Sequence, residues 1–320
     1  QIHTRRYSSA ASDVYKIQIF SIRNLHCAYR KNGEFTKTVL HIKKLDVLRG
    51  KITVLLGKSG AGKSTILETL GLMNNTIATD RNKTAEKLKI VFSPTEELHF
   101  NIDELWQNDK QAELSDIRNE YLSFIFQNTN LMPNFTAYEN ICITQMLQNV
   151  PQNEAVAKAK KMMQQIDLGE VDEQKQAYEL SGGQRQRIAF VRAITPRFTV
   201  LFGDEPTGNL DEITSNILMN MLAQNIREHH RTAIIVTHNI DLALKYADQI
   251  ILITKDDVVD EQQGFGEILP QNQFLSIDKK AKKWQYEENG KRVNIDDERL
   301  KKHIIKLISS QKILEKLATF

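Results

Sequence analysis

Residues 16–30 alternate apolar and polar side chains. Ile17, Ile19, Ile22 and Leu25 keep the beat of a half-buried strand that ends at Tyr29, before the turn Lys31-Asn32-Gly33. A second β-type segment runs over 37–48, and Arg49-Gly50-Lys51 turns it into the unbroken apolar run Ile52-Thr53-Val54-Leu55-Leu56. From 74 to 120 the chain is rich in Asn, Thr, Lys and Glu; strands are predicted at 88–92 and 98–102 and a polar helix at 109–119. A short strand over 122–127 follows, and Pro133-Asn134 breaks the chain. Helices are predicted at 137–149 and 153–168, the second with Asn153 as N-cap and Gly169 as stop. Ser181 precedes a helical pattern in which Ile188, Val191 and Ile194 share a face. An apolar run at 199–203, a helix at 212–228 and strands at 233–236 and 249–254 complete the core. Alternating strands and helices predict an α/β fold with a mostly parallel sheet, whose working loops lie at the strands' C-terminal ends.

Beyond 256 the pattern changes. Segments 284–288 and 291–295 flank Asn289-Gly290, which suits a type I′ hairpin. A helix over 297–318 carries Leu300, Ile304, Leu307, Ile308, Leu314 and Leu317 on one stripe, with Lys301, Lys302, Lys306, Lys312 and Lys316 largely outside it. Such a helix either lies on a membrane surface or docks on its own domain.

The 320 residues suit about two domains. A net charge of +3 gives no argument for nucleic acid, and two cysteines, Cys27 and Cys142, make neither a disulfide framework nor a metal spacing. No run of about 18 apolar residues is present. The opening Arg5-Arg6-Tyr7-Ser8-Ser9-Ala10 reads as a disordered leader over 1–15 rather than as the end of a transit peptide.

The chemistry starts at residues 57–65, GKSGAGKST, which fit the phosphate loop G-x-x-x-x-G-K-[ST] at every fixed position and stand between a strand and a helix. Glycines let consecutive backbone N–H groups turn toward phosphates, and the helix start adds positive potential. Lys63 would reach the terminal phosphates and Ser64 would ligate Mg²⁺. Residues 180–184, LSGGQ, form a second turn of this kind. Asp204 and Glu205 end a buried strand, where paired carboxylates are costly without a task. Tyr29 by itself reads as a packing tyrosine, although an aromatic there can also stack on a purine.

Together these motifs, over about residues 16–256, resemble the ATP-binding-cassette ATPases. The resemblance implies a P-loop NTPase (RecA-like) core with an antiparallel β subdomain, an inserted helical subdomain at about 128–180, and a separate extension over 257–320. It implies that ATP is held by Tyr29, Gly57, Lys58, Ser59, Gly60, Ala61, Gly62, Lys63, Ser64 and Thr65. From a second copy, Ser181, Gly182, Gly183 and Gln184 would cover it. Mg²⁺ would be held by Ser64, Gln127 and Asp204. Glu205, His238 and Gln127 would be catalytic, and Asp211 would belong to the D-loop, its other reading being a helix-start acid. Lys63 and Gln127 are far apart for this family, which implies an insertion. The string DEPTGNLD at 204–211, with Phe126-Gln127 and Leu131-Met132-Pro133, is similar to the lipoprotein-release, macrolide-exporter and cell-division branch. That branch implies an ATPase dimer on the cytoplasmic face of a membrane, driving a transmembrane permease, with no nucleic acid as partner. The segment 128–137, with Pro133 and Phe135, would form a groove for a helix of that permease. A soluble cassette protein acting on ribosomes or nucleic acid is the alternative.

Overall fold

The structure, a computed structural model, describes residues 17–31, 34–78, 87–168, 175–255 and 265–308. In chain order the elements are β1 (Gln18–Lys31), β2 (Glu34–Leu48), β3 (Ile52–Gly57), α1 (Lys63–Leu70), β4 (Lys89–Phe92), β5 (Phe100–Asn101), α2 (Ile102–Gln107), α3 (Gln111–Tyr121) and β6 (Leu122–Ile125). Then come α4 (Ala137–Leu147), α5 (Gln152–Gln165), α6 (Gly182–Ile194), β7 (Val200–Asp204), α7 (Glu212–Glu228), β8 (Thr232–Val236), α8 (Ile240–Tyr246) and β9 (Gln249–Lys255). The described chain ends with β10 (Gly266–Ile268), β11 (Gln273–Asp278), β12 (Lys283–Glu288), β13 (Lys291–Asp296) and α9 (Asp297–Ile308). Contacts divide it into two units, Gln1–Leu114 with Val236–Phe320, and Ser115–Ile235.

In the first unit, β3 pairs in parallel with β9, and both are almost wholly buried, as parallel strands covered on two faces must be. The antiparallel part is β1 with β2, β1 with β4, and β4 with β5. β10 joins the two parts, lying parallel to β2 and antiparallel to β9. In the second unit β8, β7 and β6 lie side by side, β7 and β6 in parallel, with α6 packed on β6 and α4, α5 and α7 packed on α6. This is the mixed α/β architecture expected.

Several local expectations change. The strand predicted at 98–102 is only Phe100–Asn101, because α2 starts at Ile102 with Asp103 and Glu104 in its first turn. Asp103 accepts the Ile90 N–H at 2.9 Å, which holds this short helix on β4. Asn153 is not the cap of α5: Pro151 takes that place, its carbonyl accepting from Ala155 N–H at 3.0 Å. The predicted stop Gly169, most of the turn 31–33 and the leader lie outside the described residues.

The predicted hairpin is present, with Asn289 and Gly290 both at positive φ, 50° and 74°. Two further strands join it to the core, since β11 pairs with both β12 and β9. α9 docks on its own unit, burying Leu300 and Ile304 beside α8, β9 and the hairpin. Phe274 and Trp284 lie beneath, and the Trp284 indole donates to Asp297 at 2.6 Å. The first part of the apolar stripe is therefore covered by protein, while Leu307 and Ile308 are half-buried. Leu314 and Leu317 lie outside the described residues.

Candidate nucleotide site

β3 delivers the phosphate loop. Gly57, its last residue, lies so close to β9 that a Cβ there would stand 2.7 Å from the Ile253 carbonyl oxygen. The loop then turns through Gly60 and Gly62 at φ 73° and 88°, a left-handed conformation open to glycine at little cost. Gly62 is also the N-cap of α1, and no side chain caps that helix. A helix start whose cap residue has no side chain suits an anion, as a phosphate site requires. Lys63 folds over the loop, its Nζ donating to the carbonyls of Gly57 and Lys58, both at 2.8 Å. Ser59, Gly60 and Ser64 are exposed, Lys58 is half-buried, and Ala61, Gly62 and Thr65 are buried.

The structure also brings Tyr29 here. Its hydroxyl shares a hydrogen bond with Thr65 at 3.1 Å and donates to Glu68 at 3.2 Å, while the residue is 38% exposed. Burial, with Glu68 nearby, pushes its phenol above the ordinary range. Tyr29 is therefore anchored by its polar tip and keeps part of its surface available. Glu68, which the sequence did not single out, is the anchor. His238 is exposed between β8 and α8. Its setting is fixed from both sides: Thr237 N–H donates to the Leu55 carbonyl of β3 at 3.3 Å, and Asn239 caps α8 by accepting from Leu242 N–H at 2.9 Å.

The remaining candidates gather in the second unit. Ser181 caps α6 in a capping box. Its hydroxyl accepts from Gln184 N–H at 3.2 Å, and the Gln184 side chain accepts from Ser181 N–H at 2.9 Å. Gly182 faces open space, and a Cβ on Gly183 would lie 3.6 Å from Leu210. Gln127 is exposed just after β6, and a cavity of about 480 Å³ brings it together with Pro133, Gly182, Gln186 and Asn209.

Asp204 ends β7, and Glu205 follows at φ 47°, a conformation that costs a non-glycine residue free energy. A turn holds it there, with Gly208 N–H donating to the Glu205 carbonyl at 3.1 Å. Asp211 caps α7, accepting from Thr214 N–H at 2.9 Å and from the Thr214 hydroxyl at 2.7 Å. Those bonds hold its carboxyl below the usual range, so the helix-start reading describes the geometry seen. Gln186 was also missed. Only 1% exposed, it donates to the Pro206 carbonyl at 2.9 Å and so ties α6 to the turn that carries Glu205. Its signal was available: a polar residue four before Phe190, on the buried face of a predicted helix.

The site is therefore built in two parts. One offers a lysine, an uncapped helix start and an anchored aromatic, which suits a nucleotide. The other offers carboxylates, a glutamine and a capped glycine turn. The model of the ABC transporter family matches residues 40–208. The lipoprotein-releasing system ATP-binding protein LolD of Myxococcus xanthus is 34% identical over 225 residues, covering 70% of this chain and 92% of that protein. The macrolide export ATP-binding/permease protein MacB of Aggregatibacter actinomycetemcomitans is 32% identical over 247 residues, 77% of this chain and 35% of that protein. Among solved structures, the dimeric post-hydrolysis state of the ATP-binding cassette MJ0796 bound to ADP and Pi matches with a TM-score of 0.59 at 26% identity, covering 73% of this chain and 93% of that one. The chain belongs to the ABC transporter family, in which it is a nucleotide-binding domain similar to those of LolD and MacB.

Proposed function

We propose that this chain hydrolyses ATP as the nucleotide-binding subunit of a membrane transporter or mechanotransmitter of the lipoprotein-release and macrolide-export type. The observation that carries the reading is the phosphate loop, with its uncapped helix start and Lys63 laid over its carbonyls. ATP binds there, its base against Tyr29. Ser64, Gln127 and Asp204 carry oxygen donors of the kind Mg²⁺ prefers and would hold the ion, which would supply charge neutralisation to the phosphates. Glu205 orients and deprotonates the attacking water, Gln127 senses it, and His238 holds the γ-phosphate. Ser181, Gly182, Gly183 and Gln184 of a second copy close over the nucleotide, so that a symmetric pair makes two sites.

The permease would take up the work at the second unit. A groove of about 460 Å³ is lined there by Phe124, Phe126, Met132, Ile143 and Leu147, and Leu147 is 66% exposed. An apolar groove of this kind suits one face of a partner's cytoplasmic helix. Of the segment expected to build it, Asn130 and Met132 contribute; Pro133 lines the neighbouring cavity instead. The Phe135 backbone serves the turn, its carbonyl accepting from Ala177 N–H at 2.9 Å. Docking there would place the chain on the cytoplasmic face of the membrane. No described helix is long and apolar enough to cross one.

Glu205→Gln tests the reading. It should keep ATP binding and lose about 10²–10⁴-fold in hydrolysis, because a general base has gone. With Mg-ATP the variant should become a stable dimer by light scattering, and with ADP it should not. Adding Ser181→Arg should abolish that dimer. Hydrolysis at the wild-type rate in Glu205→Gln would remove Glu205 from the chemistry, and the absence of an ATP-dependent dimer would remove the two-site mechanism.

A further inference from the structure

The short strand β10 lies beyond the residues that the family model matches, and no sequence pattern marked it. It is nevertheless packed against the middle of the phosphate loop. A Cβ at Gly266 would stand 1.9 Å from the carbonyl oxygen of Ala61, 2.9 Å from the Ala61 carbonyl carbon and 2.9 Å from Cγ2 of Ile253. Gly266 is not among the positive-φ residues, so its backbone could be adopted by any amino acid. The need for glycine here is entirely one of space, and the atom that needs the space belongs to the loop.

The neighbouring contacts make the approach hard to relieve. Ala61 is fully buried. Gly266 pairs with Leu40 of β2 on one side and Lys255 of β9 on the other, so β10 is stitched into the sheet along both edges. Gly62, next in the loop, is confined too, since a Cβ there would lie 3.1 Å from the Leu40 Cβ. The Ala61–Gly62 peptide therefore has β10 behind its carbonyl and β2 behind its next Cα. The peptide is trans, so its C=O and N–H point in opposite directions. With the Ala61 oxygen aimed at Gly266, the Gly62 N–H is aimed away from β10.

From this contact we infer that Gly266 is a positioning residue for nucleotide binding: by bringing β10 against Ala61 it fixes the Ala61–Gly62 peptide, and so aims the Gly62 N–H at the phosphates. The inference rests on the nucleotide reading of the loop and adds a part to it. A methyl group at 266 would have to push the Ala61 oxygen back by about 1 Å to reach the 3.0 Å that such contacts respect. A peptide turned that far loses the direction of its donor, because hydrogen bonds weaken steeply off line.

The test uses the full chain and calorimetry with ATP. Gly266→Ala should lower ATP affinity by at least about tenfold, the loss expected for one charge-assisted donor, with the circular dichroism spectrum unchanged. Glu267→Gln, next door in β10 and facing His41 at 3.3 Å, should bind ATP like wild type. Affinity within about twofold of wild type in Gly266→Ala, or an equal loss in Glu267→Gln, would overturn the assignment. Lys63→Ala separates the two readings. If it abolishes binding while Gly266→Ala does not, only the role of Gly266 fails; if Lys63→Ala also binds normally, the nucleotide reading fails with it. Should Gly266→Ala not fold, Ile268→Ala loosens β10 from its buried anchor without adding an atom at Ala61. Amide exchange at Gly62 should then quicken relative to wild type, and unchanged exchange overturns the inference.

Discussion

The turn before α1 and the turn before α6 are built from similar residues, GAGKS and LSGGQ, and they finish their helices in opposite ways. Before α1 the cap is a left-handed glycine with no side chain to cap the helix, and a lysine lies over the loop. Before α6 a serine and a glutamine satisfy each other's backbone N–H groups. The first helix start goes without the side-chain cap that the second has. The second is complete within one chain, and a phosphate proposed to arrive there has to compete with the Gln184 side chain for the Ser181 N–H. A loop proposed to bind first and a loop proposed to close afterwards should differ in this way, because only the first must be ready without a partner.

The largest effect expected from breaking this contrast is that of Lys63→Ala. Removing a cation that can make several charge-assisted bonds to phosphate should weaken ATP binding at least about 100-fold. The fold should persist, since Lys63 Nζ touches loop carbonyls and not the core. Calorimetry on the isolated chain decides it. Equal affinity in the variant would mean that the open helix start is not the nucleotide's seat.

Ser181→Ala should behave in the other way. Losing an N-cap costs about 1 kcal/mol of stability, readable by denaturant unfolding, while ATP affinity of the single chain stays at the wild-type value. A variant that binds ATP as poorly as Lys63→Ala would show both turns serving one nucleotide within one chain, and the contrast would collapse.

Much of this was legible beforehand for a physical reason. The loop motif, the carboxylate pair and the Ser181 cap are local, set by spacing and by what a turn demands of its residues. Helix α7 was read at its observed bounds because Asp211 caps it locally. What escaped depends on distant partners. The six-residue α2 is held by Asp103 on Ile90, and the three-residue β10 has no pattern of its own. Gln186 owes its place to the Pro206 carbonyl, twenty residues on. The C-terminal hairpin was read correctly, because Asn289-Gly290 is local. The strand β11 that joins it to β9 was not, since its pairing partner lies more than twenty residues earlier.

The smallest expected effect is the sharpest, because its two readouts should move in opposite directions. Gln184→Glu keeps the capping box, since a glutamate at that position also reaches back to the cap N–H. It adds a negative charge in the first turn of α6, where the helix start favours one, so α6 should gain a few tenths of a kcal/mol to about 1 kcal/mol. That charge lies where the partner's γ-phosphate is proposed to sit. Two anions in one seat repel, so in a Glu205→Gln background the ATP-dependent dimer should weaken several-fold even as the single chain becomes harder to unfold. The stability gain should vanish as pH falls through the ordinary glutamate range, near 4.3, because the neutral acid no longer responds to the helix start. Light scattering with Mg-ATP and denaturant unfolding without nucleotide measure the two sides. If both rise, the turn is only a cap; if both fall, Gln184 holds α6 through contacts other than the capping box, and the proposed latch is not the feature that separates the two turns.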